Sequence, residues 1–246
     1  MKNTVSILKR ELAGYFATPV AYVFIVVFLL LSGFFTFQLG DLYADGNGQA
    51  SLSSFFGWHP WLYLFLIPAL SMRLWAEERK QGTIELLMTL PITLPQAVVG
   101  KFLAAWIFTA AALALTFPTW ATVCYLGDPD NGTIVAGYFG SLLMAGGFLA
   151  IGSFVSALTK NQVIAFVLTV MICLGFLLTG FAPFIDAFSG WVPAAVLDAL
   201  ASFSFFTHFD NVSKGLIEAR DLVFFASLIG LSLFANTLIL DVTKAR

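Results

Sequence analysis

Six apolar runs, each near the roughly 20 residues that a helix needs to cross a bilayer core, take up most of the 246-residue chain. They are Pro19–Leu39 and residues 55–75, 102–126, 134–158, 162–181 and 222–240. Inside a bilayer every backbone N–H and C=O must be satisfied within the protein, so runs of this length are helices. With 59% hydrophobic and 11% charged residues, against roughly a quarter charged in a soluble domain, the chain is expected to be an all-α integral membrane protein. One membrane domain over residues 1–246 is expected, since no internal repeat or low-complexity segment divides it.

Residues 1–18 read as an amphipathic helix lying in the membrane interface. Val5, Leu8, Leu12, Tyr15 and Phe16 recur at helical spacing, with Lys9, Arg10 and Glu11 on the polar side. Ten of the 12 Lys and Arg residues fall before span one, between spans two and three, between four and five, or after span six. The loops around Asp41 and Asp45 and around Asp128 and Asp130 hold only acids. The positive-inside rule therefore predicts six spans with both termini cytoplasmic. Residues 182–220 are apolar but interrupted by Pro183, Gly190 and Pro193, so they predict an outer hairpin of two short re-entrant helices.

The spans lack the residues that ion pathways and active sites need. No Asp, Glu, Lys or Arg sits mid-span, which argues against an ion-coupled transporter. His59 and His208 are expected to be exposed near the outer surface, out of reach of a serine in the "GSFVS" stretch, residues 152–156. They match no metal-ligand spacing with the nearby aspartates. No catalytic, cofactor or metal residue is therefore assigned, and the chain is not expected to be an enzyme. Cys124 and Cys173 lie in apolar runs and read as small buried hydrophobes. Gly137, Ser141 and Ala145, and likewise Ala165, Thr169 and Cys173, give small-residue packing faces on spans four and five. The net charge of −2 and the lack of a basic patch exclude a nucleic-acid partner.

Charge concentrates instead in "RLWAEERKQGTIELLMTLPITLPQAVVGK", residues 73–101. Gly82 is suited to end the helix that leaves span two in a left-handed conformation. Thr83 can cap a short helix with Glu85 near its N-terminal end, and Pro91 stops that helix. Thr93 with Gln96 forms a capping-box pattern, with Pro95 in the first turn of the helix that becomes span three. A short helix carrying Leu86 and Leu87 beside a charge cluster is shaped to be gripped by a partner.

Within this run, Glu77, Glu78, Gly82, Thr83, Glu85, Leu86, Leu87, Pro91, Gly100 and Lys101 resemble the signature of ABC-2 type transporter permeases, in particular the gliding-motility GldF-like branch. The resemblance implies an interfacial helix, six transmembrane helices and a re-entrant hairpin. It also implies a dimer with a second permease copy or paralogue, mounted on two copies of an ABC ATPase subunit in a bacterial cytoplasmic (inner) membrane. Residues 76–100 would be the coupling region, with those ten residues contacting the ATPase. A periplasmic accessory protein and membrane lipids are further expected partners.

No cofactor is expected in this chain. It lacks a G-x-x-x-x-G-K-[ST] loop, because Gly100 and Lys101 are followed by Phe102. ATP and Mg would be bound by the ATPase. The expected function is a permease coupling ATP hydrolysis to transport, in the export direction, of an unidentified substrate. Two alternatives are a non-transporting scaffold of an envelope or motility machine and a passive channel. The channel would conduct without ATP.

Overall fold

The computed structural model describes residues 2–39, 51–84, 92–188 and 190–244. They are almost wholly helical: α1 (Lys2–Phe16), α2 (Pro19–Phe34) extended by a π-helical turn (Phe35–Leu39), α3 (Ser53–Ser71), α4 (Arg73–Gln81), α5 (Leu94–Ala114), α6 (Phe117–Leu126), α7 (Asn131–Leu158), α8 (Gln162–Leu178), α9 (Ala182–Phe188), α10 (Ala194–Ala201), α11 (Phe205–Ser213) and α12 (Ala219–Lys244). Among these residues, Pro19–Leu39, Leu94–Leu126, Asn131–Leu158 and Ala219–Val242 are long and apolar enough to cross a membrane. Gln162–Leu178 with Ala182–Phe188, bent by 73°, makes a fifth if the pair is one span. The second expected span falls short because Trp58, His59, Pro60, Trp61 and Tyr63 dilute the apolarity of α3. It also breaks at Met72, between α3 and α4.

The bundle is built around α7. In the most apolar stretch of each helix, 72% of α7 is buried against 28% of α2 and 11% of α12, so α7 is the axis. Its N-terminus is set by Asp130, whose carboxylate accepts from the N–H groups of Gly132 and Thr133. Small residues then let neighbours close on it. A Cβ on Gly137 would lie 2.5 Å from the Phe56 ring, on Gly140 2.7 Å from Val212, on Gly147 2.6 Å from Phe205, and on Gly152 2.0 Å from the Ser71 hydroxyl. Ala165, Thr169 and Cys173 are likewise buried on α8. The small-residue faces expected from spacing are therefore packing surfaces. With about 1.5 Å of rise per residue, α7 separates the two ends of the bundle by about 40 Å.

Several expectations are corrected. Both histidines are buried. His59 stacks on Tyr63 and its Nδ1 lies 3.3 Å from the Ser141 hydroxyl, which in turn lies 2.7 Å from the Tyr63 hydroxyl. His208 Nε2 donates to the Ser202 carbonyl, and its Nδ1 sits 2.5 Å from Asp221. That pair joins α11 to the start of α12. Of the two cysteines only Cys173 is buried, and Cys124 is exposed. Residues 182–220 form three short helices, not two. Ser204 accepts from the Phe206 N–H and starts α11, whose Phe205, His208, Phe209 and Val212 insert into the core. No residue of α9 is fully buried among the described residues, so the hairpin is held chiefly by α11.

Because the approach of α3 to α7 depends on the missing Cβ at residue 152, Gly152→Val is expected to destabilise the fold by about 1–3 kcal/mol. Gly175→Val, on α8 with nothing within 4 Å, should leave it unchanged. Thermal unfolding in detergent measures both, and equal midpoints would contradict this packing.

Candidate functional site

α4 leaves the membrane-type helix α3 at Met72, and a side chain from α7 mends the break. The Ser156 hydroxyl accepts from the N–H of Trp75 at 3.1 Å and of Ala76 at 3.0 Å, and donates to the Met72 carbonyl at 2.9 Å. All of its hydrogen-bonding capacity is thus used on groups that the helical ladder would otherwise have paired. One turn earlier on α7, the Ser153 hydroxyl accepts from the Trp75 indole at 3.3 Å and from the Asn236 amide of α12 at 2.7 Å. Arg79 donates to the Ala157 carbonyl near the C-terminus of α7, where free carbonyls favour a cation. α4 is therefore bolted to the end of the central helix.

The other fastening of α4 is Lys101 on α5, which is only 3% exposed. Its ammonium lies 2.8 Å from Glu78 of α4, 3.3 Å from Glu11 of α1, and 5.2 Å from the centre of the Trp75 ring. Arg10 adds a 2.7 Å contact to Glu11. Burial works against the Glu11 charge, but Lys101 and then Arg10 outweigh it and hold its carboxyl below the usual carboxylate range.

The expected apolar face of α1 holds in part: Leu12 and Tyr15 pack against the core beside the buried Ile7, while Glu11, expected on the polar side, turns toward the protein. Val5 and Phe16 stay exposed. The close approach is made possible by Gly100, where a Cβ would lie 2.9 Å from Ile7 and 3.2 Å from the Thr4 carbonyl.

Six of the ten residues expected to form the coupling region are described. Glu78 and Lys101 meet in one ion pair, and Gly100 forms the seam with α1. Gly82 ends α4 at φ 72°, the left-handed conformation that glycine tolerates, and the Thr83 hydroxyl donates to the Glu78 carbonyl at 3.4 Å. The Thr83 contact is with the end of α4. Glu77 stays at the surface edge of α4 and accepts from the Gln81 amide at 3.4 Å. Glu85, Leu86, Leu87 and Pro91 lie outside the described residues. Past them, the Thr93 N–H donates to the Gln96 side chain at 3.3 Å, completing the expected capping box at the start of α5.

Sequence reasoning missed Glu11, Arg79, Ser153, Ser156 and Asn236. One signal was available: Asn236 is the single amide within the last apolar run, residues 222–240, and a lone amide there implies a polar partner.

This arrangement is mechanical. A charged connector is locked to α5 by the Glu78–Lys101 salt bridge, through Lys101 to Glu11 of α1, and to α7 by hydroxyl and carbonyl bonds, so a displacement of α4 loads three other helices.

The family model for ABC-2 family transporter proteins matches residues 22–240, nearly the whole described chain. The chain belongs to the ABC-2 transporter family. Heme exporter protein B of Paracoccus denitrificans (strain Pd 1222) is similar to it, with 35% identity over 101 residues. That match covers 40% of this ABC-2 chain and 44% of the relative, so the chain spans less than half of the relative's length in the match.

Two outcomes test the locked connector. Lys101→Met leaves the half-buried Glu78 without its cation and Glu11 with Arg10 alone, and should cost about 3 kcal/mol, the low end for breaking a buried pair, whereas Ser156→Ala should cost about 1–3 kcal/mol for its orphaned N–H groups. Chemical or thermal unfolding reads both.

The second outcome concerns pH. Because the folded Glu11 carboxyl titrates below its free value of 4.5, its contribution is present above that value and lost as pH falls through the lower folded one. The stability gap between wild type and Glu11→Gln should be flat from neutral pH down to about 5 and close below about 4. A gap that persists unchanged at low pH would contradict the role of Glu11.

Proposed function

We propose that this chain is the membrane half of an ATP-driven transporter and that residues 76–100 form its coupling region, docked on a separate ABC ATPase. The observation that carries this is the buried Lys101 joined to Glu78 of α4 and Glu11 of α1. A solvated loop has no need of a buried cation, but an element that transmits force does.

Family membership supports the pairing with an ATPase, because the matched description is of a transporter protein. In this reading the segment with Glu85, Leu86, Leu87 and Pro91 reaches the ATPase, Glu77 adds a polar contact, and Glu78 works inward. ATP and Mg are held by two ATPase copies. A second permease copy completes the membrane part, and a periplasmic subunit can join it.

Six spans follow if α3 with the start of α4, and α8 with α9, each count as one. Charge asymmetry then puts both termini and the connector on the cytoplasmic side of a bacterial inner membrane. Transport runs outward. Within the family, residues 77–101 favour the gliding-motility GldF-like branch. The likeness to heme exporter protein B favours a second reading, in which the cargo is heme.

The test is a detergent pull-down of the tagged chain beside the double variant Glu85→Arg with Leu87→Asp, scored for a co-purifying ATPase and its hydrolysis rate. The wild type should bring down an ATPase that the double variant loses. Retention with unchanged hydrolysis by the variant, or no ATPase with either, overturns the coupling role. Heme loss from loaded proteoliposomes, with and without ATP, then separates the two cargo readings.

A further inference from the structure

Two clefts open side by side at the connector end of the bundle and share part of their walls. One, of about 320 Å³, lies between α1, α4 and α5 and has Glu11, Glu77, Glu78, Arg73 and Lys101 in its wall. The other, of about 250 Å³, is an apolar groove between α2 and α3 lined by residues such as Ala21, Phe24, Leu66 and Ala69. Tyr15, Thr18 and Arg73 line both. An apolar groove that ends at a cation beside a polar chamber has the outline of an amphiphile.

The charges in the chamber say which amphiphile fits. Lys101 is committed to Glu78 and Glu11. Arg73, at the mouth of the groove, is exposed and has no ion pair or hydrogen bond among the described residues. Glu77 stands one turn farther out on α4 and, among the described residues, accepts only the long Gln81 bond. Arg73 and Glu77 are four residues apart with the cation first, the weaker order for a helical pair, and they do not close on each other.

With three carboxylates and two cations in its wall, the chamber carries a net charge of −1. It therefore opposes a purely anionic headgroup. A zwitterion suits it: a phosphate next to the acyl chains at Arg73 and a terminal ammonium farther out at Glu77. The axial offset of about 6 Å between the two positions follows that order, and a guanidinium recognises phosphate with two parallel hydrogen bonds.

We propose that these adjoining clefts together bind one phospholipid whose headgroup carries a phosphate followed by a primary ammonium, as in phosphatidylethanolamine, with an acyl chain in the α2–α3 groove. The site lies wholly within this chain and does not require an ATPase to dock on the connector. It clamps the lipid between the interfacial helix, the first span and the connector, the elements that the proposed coupling would move.

The test is native mass spectrometry of the detergent-solubilised full chain without any ATPase, titrated with phosphatidylethanolamine and phosphatidylglycerol of the same acyl chains. Wild type should retain phosphatidylethanolamine preferentially. Arg73→Gln should weaken retention of both lipids about tenfold, the loss of one charge-assisted bond. Glu77→Gln should abolish the preference without abolishing binding, and Ala69→Phe should weaken both lipids by filling the groove.

Since neither Arg73 nor Glu77 has a strong internal partner, both variants should unfold at the wild-type midpoint, which keeps a folding defect distinguishable. Soluble glycerophosphoethanolamine at equal concentration should not displace the lipid. Equal retention of the two lipids by wild type, undiminished retention by Arg73→Gln, or displacement by the soluble headgroup would each overturn the proposal.

Discussion

A buried ammonium is the constraint on which this end of the molecule depends. Removing a charge from water costs several kcal/mol even after relaxation, and only close counter-charges offset it. Lys101 on α5 finds Glu78 on α4 and Glu11 on α1, with the face of Trp75 nearby. Each counter-charge comes from a different helix. The electrostatic requirement of one side chain therefore fixes where an interfacial helix, a connector and a membrane-type helix meet. The pairing works only because Gly100, the preceding residue, lets α1 come close enough for Glu11 to reach.

The second constraint is that no backbone group may be left unpaired where water is scarce. Pro68 within α3 and the break at Met72 disturb the ladder at the point where α3 becomes α4. A single hydroxyl from Ser156 restores it with three hydrogen bonds. The repair couples the break to α7, which is packed by glycines against Phe56, Val212, Phe205 and Ser71 along its length. A bent helix fastened to a central rod at the bend moves with the rod. A bend repaired by water would move freely.

Much of this was legible in the sequence, for physical reasons that differ by residue. Gly82 was readable because only glycine ends a helix at positive φ without strain. The Thr93 and Gln96 cap was readable because its partners are three residues apart. The small-residue faces of α7 and α8 were readable because helical spacing alone puts such residues on one side. Glu11 was not, because its partner is 90 positions away in sequence and its neighbours Lys9 and Arg10 suggested a solvated side. The burial of His59 was hidden for the same reason, since Ser141 lies 82 positions away, whereas His208 has its partners Ser202 and Asp221 only 6 and 13 positions away and was missed because the turn between α11 and α12 brings them together. The third short helix in residues 182–220 was masked by an apolar run that gives no period of its own, although Ser204 marks its start.

The two ends of α7 are held by different kinds of bond, and that difference bears on how the molecule could work. At its C-terminal end the fastenings are directional hydrogen bonds, from Ser156 and the Ala157 carbonyl to α4 and from Ser153 to Asn236 of α12, and α4 is in turn ion-paired with α5. At its N-terminal end α11 presses Val212, Phe209 and Phe205 into glycine-lined hollows, and the His208–Asp221 pair ties it to α12. Packing of this kind resists separation but tolerates small sliding. α2, with much of its surface facing outward, is held less tightly by the core than α7 is, whereas α12 is tied to α7 by Asn236 and Ser153. A force applied at α4 would thus be carried along a stiff axis while α2 shifts against it. That is the mechanical division that a transporter driven from one side of the membrane requires.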